Sequence, residues 1–150
     1  MSARVKRLQK VKDLRNKALE ERVKQLAETR AREEAAKQQA IQLEQERSAA
    51  FHYREKLALG GGTARDWHEA NEWCAQKSLH WEVSQQQCQR AAAAVEHARA
   101  AVLSARGEVK KLELLQERLL QQDRLRESRA ESRQHDETAS QLVAANLRRG

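Results

Sequence analysis

The sequence predicts an all-α fold: one long antiparallel two-helix coiled-coil hairpin, with the C-terminal helix overhanging its partner. Three observations lead there. The 150 residues contain no proline, and their only glycine cluster is Gly60-Gly61-Gly62. Beyond that cluster Trp67, Cys74, Trp81, Cys88, Val95, Val102 and Val109 recur at strict seven-residue spacing, a seam that requires a partner helix. The composition is 34% charged, 39% hydrophobic and 3% aromatic, the usage of long helices rather than of a compact core. Sparse β-branched residues argue against a sheet, and high helix propensity with sustained heptads argues against disorder.

The whole chain, 1–150, reads as a single hairpin: helix 3–59, turn 60–63, helix 64–146. In the first helix Val5, Leu8, Val11, Leu14 and Ala18 step by three or four, as one helical face does. Leu19 and Leu26 follow, then Ala36, Leu43, Ala50 and Leu57 at heptad spacing. The companion line through Glu33, Ala40, Arg47 and Arg54 is poor, so this helix depends on its partner. In the turn, Gly60 can take the left-handed conformation that ends a helix. Thr63 can cap the next helix, with Asp66 in a capping-box position. A loop of about three or four residues forces antiparallel neighbours.

The second helix carries the main seam, with companions Ala70, Lys77, Ser84, Ala91, Ala98, Ala105, Leu112 and Leu119. The Ala-rich stretch Ala91–Ala101 reads as close helix packing. Gly107 is a local weak point worth about 1 kcal/mol relative to Ala. After Leu120 the seam fades, leaving Leu125, Leu142, Val143 and Leu147 among charges. Folding about Gly61 sets residue i opposite roughly residue 122 − i, Val5 beside Glu117 and Leu26 beside Glu96 or Val95. The paired rod would then be about 80–85 Å long, with an overhang of about 25 residues, or roughly 35–40 Å.

Charge and aromatics separate along the hairpin. Residues 1–17 hold Arg4, Lys6, Arg7, Lys10, Lys12, Arg15 and Lys17 against Asp13 alone, most of the net +7. Phe51, Tyr53, Trp67, Trp73 and Trp81 all lie near the glycines, with His52, His68 and His80. Trp67 and Trp81 are on the seam and can seal the tip. Trp73 and Tyr53 are off it, where aromatics make interaction anchors.

Several classes are excluded. No run of about 18 apolar residues exists to span a membrane. Met1–Arg7 lacks the apolar core of a secretory signal. Cys74 and Cys88, 14 residues apart on one face, would sit about 21 Å apart and cannot bridge each other within the helix. They read as small core filler in a reducing compartment. His68, Cys74 and His80 face different directions, so no metal site is expected. The glycine triplet leads into Thr63-Ala64 and lacks the residues of a phosphate loop. A two-helix rod shields no catalytic pair from water. The reading is therefore a non-enzyme with no catalytic residues, metal or cofactor.

Two functions compete at this level. A basic segment followed by heptads suits a DNA-binding zipper. But its own apolar stripe, Val5 to Leu14, wants a protein partner, and the glycine turn makes a hairpin rather than a parallel dimer. A generic coiled-coil scaffold or adaptor accounts for everything except the lopsided ends.

A third function comes from resemblance. Leu8-Gln9-Lys10-Val11-Lys12-Asp13-Leu14-Arg15 is similar to the opening pattern of the FliJ/YscO (SctO) family of type III secretion and flagellar export. The run from Arg126 to Ala139, Arg/Glu-rich and containing Asp136-Glu137, resembles that family's late segment. The resemblance covers the full chain and implies a non-enzymatic central stalk. Its open end would insert into a hexameric export ATPase through Leu8, Val11, Leu14, Arg15, Arg129, Arg133, Asp136 and Glu137. Its aromatic tip, with Phe51, Tyr53, Trp67 and Trp73, would reach the export gate protein. Secretion chaperones are implied as further partners and nucleic acid is not. The implied location is cytoplasmic, at the face of a bacterial secretion apparatus, with membrane contact only through partners.

Overall fold

The computed structural model describes residues 2–150. Helix α1 runs Ala3–Gly60 and helix α2 runs Ala64–Arg149, and they pack against each other as an all-α hairpin. No strand occurs among the described residues. The chain divides into two compact units, Met1–Leu19 with Ser104–Gly150, and Glu20–Leu103.

Helix α1 begins on a cap that the sequence reading missed. The Ser2 hydroxyl accepts a hydrogen bond from the Val5 N–H at 3.3 Å, and the Ser2 carbonyl accepts from the Lys6 N–H at 3.2 Å. Two of the helix's orphan donors are thereby satisfied.

The turn lies within the Glu20–Leu103 unit. Gly60 stays helical, and the left-handed residue is Gly61, with φ 71°. The Gly61 and Gly62 N–H groups both donate to the Leu57 carbonyl, at 3.1 and 3.3 Å. This closes α1 in the usual glycine-terminated way, one residue later than expected. A Cβ on Gly62 would lie 2.8 Å from Leu57 Cδ2, the movable end of that side chain, so Gly61 is the glycine that the backbone conformation requires. Thr63 then caps α2 reciprocally: its Oγ1 accepts from the Asp66 N–H, and its own N–H donates to Asp66 Oδ2, both at 3.1 Å. Asp66 also places a negative charge at the positive end of the α2 dipole.

In this unit the fully buried seam residues are small: Ala40 and Ala50 on α1, Ala70, Cys74 and Ser84 on α2, with Val95 and Val102 further along. Two helices alone cannot cover a large side chain, so Leu43, Leu57, Trp67 and Trp81 stay half-buried at the seam's edges. The buried Ser84 hydroxyl donates to the Trp81 carbonyl at 2.6 Å, and the Cys88 thiol donates to the Ala36 carbonyl at 3.3 Å. Both polar groups are therefore paired. Of the Ala-rich stretch only Ala91, Ala98 and Ala101 turn toward α1, while Ala92, Ala93, Ala94 and Ala100 are exposed.

Within Glu20–Leu103 the pairing sits one to three residues from the 122 − i expectation. Lys77 meets Glu46 at 3.0 Å, Cys88 meets Ala36, and Arg54 meets Asn71 at 3.3 Å. Gly60 belongs to α1, so the midpoint of the turn falls at Gly62 rather than Gly61.

In the unit of Met1–Leu19 and Ser104–Gly150, α1 presents Val5, Gln9, Lys12, Asn16 and Leu19 to α2. The expected stripe is only half right. Val5 is fully buried and Leu8 half-buried, but Val11, Leu14 and Ala18 are exposed. A step of three advances only 300°, so the stripe walks around the helix. Val5 and Leu14, nine residues apart, end up on opposite sides. The seam here is polar instead: Lys12 Nζ donates to Gln116 Oε1 at 3.2 Å, and Gln116 Nε2 donates to Gln9 Oε1. Asp123 is the last half-buried residue of α2, and everything from Arg124 onward is exposed.

Candidate partner-docking site

Two sets of exposed side chains follow from this packing, one in each unit. In the Met1–Leu19/Ser104–Gly150 unit the outward side of α1 is centred on Leu14, 66% exposed. By helical spacing Lys10 and Lys17 flank it on one side, and Val11, Arg4 and Arg15 on the other. Among the described residues, no cation between Arg4 and Lys17 forms an ion pair. Asp13, the one carboxylate of the segment, accepts from Gln9 Nε2 at 2.8 Å. The face is thus an apolar stripe with basic margins, its positive charge uncompensated within the unit.

The α2 overhang belongs to the same unit, and Arg129, Arg133, Asp136 and Glu137 are exposed on it. Heptad continuation places Arg133 and Glu137 on the line of the seam itself, with Arg129 and Asp136 at its margin. The structure does not bring these four together with Leu8, Val11, Leu14 and Arg15. Lys12 is level with Gln116, and Arg129 begins 13 residues further on, about 20 Å along the helix.

In the Glu20–Leu103 unit the aromatics form two groups. Tyr53 of α1 and Trp73 of α2 meet edge to face across the hairpin, ring centres 5.7 Å apart, and both remain exposed. Such a pair gains about 0.5–1.5 kcal/mol beyond its buried area. The second group is built on arginine. The Arg47 guanidinium lies 4.5 Å from the Trp81 ring centre and 5.4 Å from that of Phe51, and Arg54 lies 4.7 Å from Phe51. Phe51 is therefore a half-buried packing residue, and Trp67 is half-buried on the seam.

Sequence reading missed two features here. The line through Arg47 and Arg54 reads as a defect, yet cation–π stacking lets it serve as seam. Arg47 Nε is buried without a hydrogen-bond partner among the described residues, while Nη1 of the same guanidinium pairs with Glu44 Oε2 at 3.5 Å. Leu59, beside the glycines, is 92% exposed. Its position off the 50–57 heptad line was the available signal.

Among the described residues, no group of three or more His, Cys, Asp or Glu side chains could hold a metal, and no helix is long and apolar enough to cross a membrane. His52 and His68 instead approach Glu55 and Glu72 on their own helices, at 3.8 and 3.2 Å.

Fold and faces together define a coiled-coil hairpin that leaves apolar, basic and aromatic side chains exposed. The chain belongs to the flagellar FliJ protein family, which matches it over residues 4–148. This bears out the resemblance drawn from the Leu8–Arg15 and Arg126–Ala139 segments and ties the chain to flagellar and type III export. No curated protein and no solved structure matches it.

Proposed function

We propose that this protein is the non-enzymatic central stalk of a type III or flagellar export system, inserting into a hexameric export ATPase and linking it to the export gate. It works in the cytoplasm at the face of the secretion apparatus and meets the membrane only through its partners. Secretion chaperones are further partners. The family supplies the context. The observation that carries the reading is the exposed α2 overhang beyond Asp123, in the same unit as the basic, Leu14-centred face of α1.

The ATPase-binding residues in this reading are Leu8, Val11, Leu14 and Arg15 with Arg129, Arg133, Asp136 and Glu137. The gate-binding residues are Phe51, Tyr53, Trp67 and Trp73, with the Tyr53–Trp73 pair as the pre-ordered anchor. The mechanism is a coupling between binding and ring assembly. A helix pair that binds the closed ring better than the isolated subunit shifts the subunits toward the ring and links hydrolysis among them. Titrating the purified protein into its cognate ATPase tests this. Stimulated hydrolysis and ring formation at less than one stalk per subunit are expected. Unchanged hydrolysis would leave only a generic scaffold, and a steeply salt-dependent shift of duplex DNA would mark a nucleic-acid binder.

A further inference from the structure

The α2 overhang is a helix with one face left open where a seam should continue. In the ordered seam Val109, Gln116 and Asp123 occupy one heptad line and Leu112 and Leu119 the other, all buried or half-buried. Seven-residue steps carry the first line to Ala130, Glu137 and Ala144. They carry the second to Arg126, Arg133, Ser140 and Leu147. All seven are exposed. All but Leu147 are small or charged, so their natural cover is a helix of matching charge rather than an apolar groove.

We propose that this cover is a second copy of the same chain, with the two overhangs paired antiparallel, tail to tail. In an antiparallel pair each line faces the other line of the opposite helix. With the twofold axis at residue 135, Arg133 faces Glu137 of the second copy and Glu137 faces its Arg133, two reciprocal ion pairs from one register. Ala130 then faces Ser140, and Arg126 faces Ala144, so small residues sit opposite the remaining layers.

A stranded carboxylate supports the same register. Leu147 of the second copy reaches Asp123, the residue at which α1 stops covering α2. Asp123 Oδ2 is buried and has no hydrogen-bond partner among the described residues. The register brings Arg148 and Arg149 of the second copy beside it.

The contact is short and poor in large apolar side chains, so association is weak and reversible. One feature keeps it so: Asp136 approaches its own counterpart across the axis. The dimer stands independently of the stalk reading. Where that reading holds, the dimer covers Arg133 and Glu137 and must open before a ring can use them.

Sedimentation equilibrium of the full chain alone, from about 10 to 500 μM, tests the proposal in the range where weak interfaces associate. A reversible monomer–dimer equilibrium is expected. Arg133→Glu and Glu137→Arg should each weaken it about tenfold or more, and the double exchange should restore it to within about threefold. Asp136→Asn should tighten it. All three positions are exposed, so helicity should not change. A monomer at every concentration overturns the proposal, whatever the chain does with an ATPase. So does a dimer indifferent to the single exchanges, or a double exchange weaker than either single.

Discussion

Arg47 of α1 stacks on Trp81 of α2 with 4.5 Å between guanidinium and ring centre, so a charged residue stands at a core position of the seam. The ring's electron-rich face replaces part of the water that the guanidinium gives up, and the flat fork covers the indole better than an ammonium would. Trp81→Ala should cost about 2–3 kcal/mol, less than for a fully buried Trp because the ring is half-exposed. Arg47→Ala should cost about 1 kcal/mol, and the two should couple by about 0.5–1 kcal/mol in a double-mutant cycle. Urea melts followed by circular dichroism measure all three. Additive losses would mean that the stack contributes only its area.

Glycines at different places should respond with opposite sign. A Cβ at Gly107 meets nothing within 4 Å, so Gly107→Ala should raise stability by about 0.5–1 kcal/mol. Gly61 holds φ 71°, where an alanine is strained, so Gly61→Ala should lower it by about 1–2 kcal/mol. Thermal midpoints of the two variants should therefore move apart from the parent in opposite directions.

The Lys12–Gln116–Gln9 contacts make the seam between α1's first turns and α2 polar, and polar seams bind weakly. Replacing Lys12 and Gln116 together by Leu should bury about two apolar side chains and add about 1–2 kcal/mol. Hydrogen exchange should slow in residues 5–19 and 105–120, with little change around the glycine turn. Equal slowing everywhere would indicate global unfolding as the only exchange route.

Leu14 and Val11 are exposed and contribute to a partner rather than to the hairpin in the stalk reading. Leu14→Asp should leave stability within about 0.5 kcal/mol of the parent, as surface changes do. It should nevertheless weaken ATPase stimulation about tenfold or more, the loss expected when a buried contact gains an unpaired charge. Trp73→Ala should leave ATPase stimulation intact while reducing gate binding in a pull-down. Loss of both activities from either substitution would argue against separate docking faces.

Much of this was legible before any coordinates. The capping box of Thr63 and Asp66 is a local rule over four residues, and it forms as expected. The α2 seam from Trp67 to Val109 is a strict period, and every member is buried or half-buried. The first helix was misread where its apolar residues step by three alone. Val11 and Leu14 turn outward, and Gln9, Lys12 and Asn16 replace them. Composition also favoured Leu and Ala over Arg47 and Arg54 as seam residues, because a propensity scale does not register a facing ring.

The sequence by itself therefore determined the two helices, the glycine turn between them, and the face that α2 offers. Each is a property of residues close together along the chain. Only the tertiary structure decided the rotation of α1 about its own axis, its register against α2, and the pairings Arg47 with Trp81 and Tyr53 with Trp73. A helix with a weak stripe has several rotations of similar energy, and the choice among them lies in the side chains of its partner.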